Sequence, residues 1–321
     1  MAQKFSIVLG AHGQVEDLRS GLVGVPGVEL EFVQVKRMPD AYRDMVRTQP
    51  YCISELAPTT YLMALAAGAP LTALPLPMTR RFRHRGLLKP RESPIRTPKD
   101  LEGRKVGVRS YSVTASVWTR GVLVEEFGVD PDRVTWVTEE DENVTSYVPP
   151  RNVQRVPAGQ TLAAMMANGG IDAGFAGLAG VGAELESQLV EVIDDAARRE
   201  PDWFRRTGIY PLHGVIAVRN DVLREHPELG MKLFEAFSQA KRNYLQRVDS
   251  GAATGAEDLR YRKLAELVGD PLPYGLDENR KSFEALARFA ARLGLISQAP
   301  PIERLFPDPR STGRARLATW H

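Results

Sequence analysis

The sequence predicts an α/β protein with mixed, mostly parallel sheets, laid out in two successive units. Three observations carry that expectation. Short apolar runs alternate with helical patterns from the N-terminus onward, the order that builds parallel sheets covered by helices. The alternation starts afresh near Thr97-Pro-Lys-Asp-Leu-Glu-Gly-Arg-Lys-Val-Gly-Val108. A chain of 321 residues, 43% hydrophobic and 26% charged, is long and apolar enough for about two domains with sizeable cores.

Taken in order, Phe5 to Leu9 and Val28 to Val35 read as strands, Asp40 to Arg47 after Pro39 as a helix, and Tyr51 to Ser54 as a short strand. Ala57 to Ala67 has helical composition, with Pro58 suited to the first turn and Gly68 to the stop. The apolar run Leu71 to Met78 leads into Thr79-Arg-Arg-Phe-Arg-His-Arg-Gly86. In the second unit Lys105 to Val108 reads as a strand ending in Arg109-Ser-Tyr-Ser112, Thr114 to Phe127 as a helix and Val134 to Thr138 as a strand. Thr161 to Asn168 follows as a helix and Ile171 to Phe175 as a strand. Thr207-Gly-Ile-Tyr-Pro-Leu-His213 then enters a strand, Gly214 to Arg219, and a helix, Pro227 to Asp249. The remainder reads as helical up to a Pro-rich tail near Pro300.

Composition excludes several classes of function. Forty-two Lys and Arg against 40 Asp and Glu leave a net charge of +2, which argues against nucleic acid as a partner. No stretch approaches the roughly 18 apolar residues of a membrane span, and the N-terminal apolar run is too short for a secretory h-region, so the expected compartment is the cytoplasm. Cys52 is the only cysteine; it excludes an intrachain disulfide and any multi-cysteine cluster, and reads as a small buried core residue. Nothing in the sequence calls for a cofactor, and no local His/Cys/Asp/Glu spacing marks a metal site. Self-association into a homo-oligomer is left open.

Against this near-neutral background one segment concentrates charge. Arg80, Arg81, Arg83, His84 and Arg85 place five potentially cationic side chains within six residues. A planar guanidinium meets a carboxylate with two parallel hydrogen bonds, so the cluster suits a small ligand with more than one carboxylate. His84 is the member able to move a proton near neutral pH. The plainer alternative is a solvated basic turn.

Several blocks resemble one family. Thr79-Arg-Arg-Phe-Arg-His84, Leu101-Glu-Gly-Arg-Lys-Val-Gly-Val108, Thr114-Ala-Ser-Val-Trp-Thr-Arg-Gly121, Arg205-Arg-Thr-Gly-Ile-Tyr-Pro-Leu-His213 and the run Tyr274-Gly-Leu-Asp-Glu-Asn-Arg-Lys-Ser-Phe-Glu-Ala-Leu286 look like the 4,5-dihydroxyphthalate decarboxylases. The likeness covers roughly Ser54 to Phe306; before it, Ala11-His12-Gly13-Gln14 stands where the family has a Tyr-Asp/Glu-Arg segment. The resemblance implies a type 2 periplasmic-binding-protein-like fold. Its first lobe would be residues 1–100 and 208–321, its second an inserted 101–207, with a ligand cleft between them. It implies a cofactor-independent decarboxylase that binds a small aromatic carboxylate.

Within that implication, removing a carboxyl group from a ring needs an anchor for the other carboxylate, a base for a phenol and an acid for the ring carbon. His84 is the first candidate for acid or base, its arginine neighbours favouring the neutral imidazole. Glu55, expected just past a strand, and His213, where the chain returns to the first lobe, are the other proton-transfer candidates. Arg80, Arg81 and Arg83 are expected to hold carboxylate, with Thr60 and His12 as further ligand contacts. Ser110, Tyr111 and Thr114 lie at a strand–helix junction whose N–H groups suit an anion, although simple helix capping is the plainer role. Trp118 and Arg120 are expected to pack, Asn279 and Arg280 to be structural, and His226, before Pro227 at a helix start, to be exposed; His321 is terminal. Two competing functions remain: a non-catalytic solute-binding protein of the ABC-transporter type for an aromatic or other small carboxylate, and a decarboxylase of a related substrate.

Overall fold

The alternating apolar runs become the strands of two sheets. The computed structural model describes residues 2–177, 185, 187–311, 313–314 and 316–320, so His321 lies outside the described residues. Two units are distinguished: Met1–Arg80, Leu212–Glu284 and Pro300–His321 make the first, Arg81–Pro211 and Ala285–Ala299 the second. These bounds differ from the expected lobes, because 81–100, 208–211 and 285–299 group with the second unit and the basic segment is divided after Arg80.

In the first unit β1 (Gln3–Val8), β2 (Val28–Phe32), β3 (Ile53–Leu56) and β4 (Leu71–Leu74) are followed by the short β5 (Thr79–Arg80). The second unit supplies β6 (Leu87–Pro90), β7 (Lys105–Val108), β8 (Thr135–Thr138), β9 (Val153–Arg155), β10 (Ala173–Phe175) and β11 (Leu189–Glu191). The chain returns to the first unit with β12 (Leu212–His213) and β13 (Val215–Arg219).

The first sheet has the order β2-β1-β3-β13-β4. Its strands β2, β1 and β3 are parallel, and the returning β13 enters antiparallel to both neighbours. Register aligns Ile7 with Ile53 and Ile53 with Val218, a buried row that packs with Leu233, Phe237 and Ala240 of the helix Leu229–Ser250. Each fully buried side chain of this size contributes about 1.5–3 kcal/mol of transfer free energy. β5 and β12 form a separate two-stranded piece that aligns Thr79 with His213.

The second sheet has the order β11-β6-β10-β7-β8-β9, with β10, β7, β8 and β9 parallel and β6 antiparallel to its neighbours. The helix Thr114–Phe127 is buried along most of its length, and the Trp118 ring meets Phe289 edge-on at 5.8 Å between centroids. Tyr51 and Cys52 lie in a bend before β3, so that strand begins at Ile53, Glu55 falls inside it, and Cys52 is half-buried at the edge of the core. The expected helix from Pro227 starts at Leu229 after a separate Asn220–Glu225 helix; His226, between them, packs on the Phe5 ring. No helix among the described residues is long and apolar enough to cross a membrane.

Candidate active site

In the first unit the site is built on the turn that leaves β1 and on the neighbouring β3. Glu55 is only 3% exposed, yet its carboxylate is fully engaged. Its Oε2 accepts from the Gly10 N–H at 2.8 Å and lies 2.8 Å from His12 Nε2, and its Oε1 accepts from the Tyr42 hydroxyl at 3.2 Å. Small residues make the approach possible. A Cβ on Gly10 would stand 2.6 Å from His12 Nε2, and one on Gly214, whose φ is +71°, would stand 2.5 Å from Glu55 Oε1. Arg19 ties down the turn by donating Nη2 to the Leu9 and Gly10 carbonyls at 2.5 and 3.0 Å.

Burial by itself would raise the Glu55 pKa, but the His12 charge and the donors His12, Gly10 and Tyr42 outweigh it and hold the carboxyl below its ordinary value. Burial likewise works against a charged His12. The Glu55 carboxylate, by charge and hydrogen bond, overcomes it and raises the imidazole pKa, with Arg19 opposing and Glu257 assisting. The pair therefore favours a carboxylate beside an imidazolium. His12 is half-buried, and with Nε2 turned to Glu55 its Nδ1 is the second proton-bearing position.

The five cations of Thr79 to Gly86 do not converge. Arg80 is buried in the first unit, where its carbonyl accepts from Arg260 Nη1 at 2.6 Å. Arg81 is exposed, and Arg83 and Arg85 act on the half-buried acid Glu200, whose pKa desolvation pushes up to about 7 with Arg85 opposing and Glu191 assisting. His84 departs most from expectation: it is 0% exposed, its Nε2 lies 2.9 Å from Glu126 Oε2, and its ring meets Trp203 edge-on at 5.5 Å. Its pKa is lowered chiefly by burial, which outweighs Glu126, and by Arg199 and Arg206 from another helix. Alternation along the segment turns Phe82 and His84 inward, which is why adjacency in sequence is not adjacency in space.

His213 lies in β12, one residue before the Gly214 that touches Glu55, and its carbonyl accepts from Thr79 Oγ1 at 3.1 Å. Thr60 is buried in the first turn of the helix Pro58–Ala66. Asn279 donates to the Pro273 and Gly275 carbonyls and Arg280 pairs with Asp277, both structural as expected.

In the second unit the Ser110–Thr114 junction stands at the N-terminus of the helix Thr114–Phe127, and its N–H groups do serve a carboxylate. That carboxylate is the protein's own. Tyr111 N–H donates to Glu142 Oε1 at 2.6 Å, while Ser112 N–H reaches both Glu142 oxygens at 3.3 Å. Tyr111 is buried, with its hydroxyl on the Leu293 carbonyl and its ring 4.1 Å from the Arg120 guanidinium. Sequence reasoning missed Glu142 because Glu139-Glu-Asp-Glu142 resembles a solvated acidic loop. It missed Tyr42, Arg19 and Glu257 for a different reason: each faces the site from an element whose pattern marks only helix or turn. Among the described residues no group of three His, Cys, Asp or Glu side chains is placed to hold a metal ion.

Comparison with known proteins agrees with this architecture. The chain matches the family described as NMT1/THI5 like over residues 26–247. It is 30% identical over 308 residues to a 4,5-dihydroxyphthalate decarboxylase of Comamonas testosteroni, covering 90% of this chain and 91% of that one. It is 32% identical over 176 residues to the protein of the same name from Pseudomonas putida, covering 52% and 68%. In fold it is similar to the periplasmic aliphatic sulphonate binding protein SsuA of Escherichia coli, with a TM-score of 0.53, 14% identity and coverage of 99% and 93%. With a binding-protein-like α/β fold and similarity to the Comamonas testosteroni enzyme over 90% of its length, the chain belongs to the 4,5-dihydroxyphthalate decarboxylase family within the NMT1/THI5-like proteins.

Proposed function

We infer that the protein is a carboxy-lyase that converts 4,5-dihydroxyphthalate, or a close analogue, to protocatechuate and carbon dioxide. The observation that carries this reading is the similarity to a 4,5-dihydroxyphthalate decarboxylase over 90% of the chain. In the reaction the ring carbon bearing the departing carboxylate gains a proton, its bond to the carboxyl carbon breaks, and that electron pair returns to the ring as carbon dioxide leaves. The hydroxyl para to this carbon, once ionised, supplies the electron push.

His12 is assigned as the proton donor, through Nδ1. Glu55 is the positioning residue behind it, holding Nε2, fixing the ring and keeping the imidazole charged until the transfer. Proton uptake from water then restores the imidazolium. His213, next in the chain to the Gly214 that packs on Glu55, is assigned the phenolic proton. Carboxylate recognition is assigned to Arg81 and the Ser110–Thr114 turn of the second unit. His84, enclosed with Glu126, is assigned to hold the basic segment in place.

Mixing the purified protein with 4,5-dihydroxyphthalate and following carbon dioxide release tests the reading; absence of turnover overturns it. The fold shared with SsuA is also compatible with one other reading, a protein that binds an aromatic carboxylate without transforming it. Tight binding of 4,5-dihydroxyphthalate without product would establish that reading instead.

A further inference from the structure

The N–H groups at the start of the helix Thr114–Phe127 hold the Glu142 carboxylate, but the pocket around that carboxylate has donors to spare. Arg120 lies beneath the turn: its Nη2 donates to the Tyr111 carbonyl, its guanidinium stacks 4.1 Å from the Tyr111 ring centroid and 5.0 Å from Trp136, and it is fully buried. Its Nη1 has no hydrogen-bond partner among the described residues. Tyr147, five residues beyond Glu142 on the same segment, has a buried hydroxyl in the same condition. The charges of Glu142 and Arg120 act on each other, and both act on Tyr147. A buried donor left unmade costs on the order of 1–3 kcal/mol, so a carboxylate with this much unused hydrogen-bonding around it fills its pocket incompletely. Glu142 is tethered to its own loop, whereas a ligand carboxylate can settle where the donors are.

We propose that the Tyr111–Ser112 turn, with Arg120 and Tyr147, is a binding pocket for the carboxylate of an aromatic acid. Glu142 is its internal competitor, which the ligand carboxylate displaces. The proposal rests on reading the ligand as an aromatic carboxylate and is independent of turnover. Competition makes Glu142 a determinant of affinity: the apparent dissociation constant is the intrinsic one divided by the fraction of molecules whose pocket is open. It also makes the pocket selective, because only a ligand that supplies its own negative charge replaces what Glu142 gives to the N–H groups and to Arg120.

Phthalate, which carries both carboxylates but no hydroxyl to drive loss of carbon dioxide, is the probe. Titration calorimetry on the full chain is expected to give about ten-fold tighter phthalate binding for Glu142→Ala than for the unaltered protein, with a gain also for the isosteric Glu142→Gln. Tyr147→Phe is expected to weaken binding several-fold with little change in unfolding temperature. Unchanged or weaker binding in both Glu142 variants overturns the proposal, as does absence of phthalate binding throughout. Failure of both variants to fold makes Glu142 a structural cap and overturns it too. Loss of 4,5-dihydroxyphthalate turnover with the affinity gain intact strikes only the enzymatic reading.

Discussion

A buried carboxylate with three donors is fixed in one protonation state, and Glu55 uses that fixity to set the state of His12. The pH dependence follows in sign. The His12 pKa is raised, so its acid form persists above the ordinary histidine range and is lost as pH rises through the folded value. The Glu55 pKa is lowered, so the carboxylate survives until pH falls well below the ordinary range. Decarboxylation should therefore be fastest on the plateau between, and Glu55→Gln should lower kcat by about 100-fold or more and move the alkaline limb to lower pH. Rates of carbon dioxide release across pH measure both effects; an unmoved alkaline limb would separate Glu55 from His12. His84 makes the opposite case. Its His84→Ala variant should lose about 2–4 kcal/mol of unfolding free energy, because it leaves a cavity and takes the partner from Glu126 Oε2, with Oε1 still on Arg206, while kcat per folded molecule stays within a few-fold. Denaturant unfolding beside steady-state kinetics checks it. The lowered pKa of His84 means its neutral form stabilises the fold at high pH, and this contribution fades as pH falls below the ordinary histidine range. Sequence singled out Glu55 as a proton-transfer candidate and His12 as a ligand contact. It did not show that they meet, since 43 positions separate them and only the parallel pairing of β1 with β3 brings them together.

At the scale of elements, the site depends on two backbones coming close to one side chain. The start of β13 can approach Glu55 only because Gly214 has no Cβ and tolerates a φ of +71°. Gly214→Ala should cost about 1–3 kcal/mol of stability through backbone strain and lower kcat as well, because the new methyl displaces Glu55. Gly121→Ala provides the contrast. Its Cβ would run into the Phe289 ring inside the second unit, whereas the residues of the proposed proton transfer belong to the first, so stability should fall with kcat per folded molecule retained. Circular dichroism melts paired with kinetics on the two variants would distinguish site from scaffold. Elements with strong local patterns were legible: the helix Thr114–Phe127 and the strand Lys105–Val108 fall where their sequences put them. Leu87–Pro90, Val153–Arg155 and Leu189–Glu191 were not, because three or four residues carry no period and those strands exist through pairing with distant partners. The helix Ala196–Thr207 was hidden by Pro201, which it contains.

Across the whole molecule, charge is balanced locally, and that balance explains why the basic segment misled. Arg83 and Arg85 are answered by Glu200, Arg85 also by Glu191, and His84 by Glu126, all distant in sequence but near in the fold. A run of cations thus reads as an anion site until the acids that fold back on it are located. The same caution applies to function, since this fold is shared with a sulphonate-binding protein and decides neither binding nor catalysis. The isotope content of the product does decide. Carbon dioxide departure leaves the ring carbon with a proton that came from an exchangeable donor, assigned here to His12, which re-equilibrates with solvent between turnovers. Run in deuterium oxide, the reaction should therefore give protocatechuate carrying one deuterium ortho to the remaining carboxylate, and its proton signal at that position should vanish. Product with ordinary hydrogen at that carbon would remove an exchangeable side-chain donor from the reaction and His12 with it.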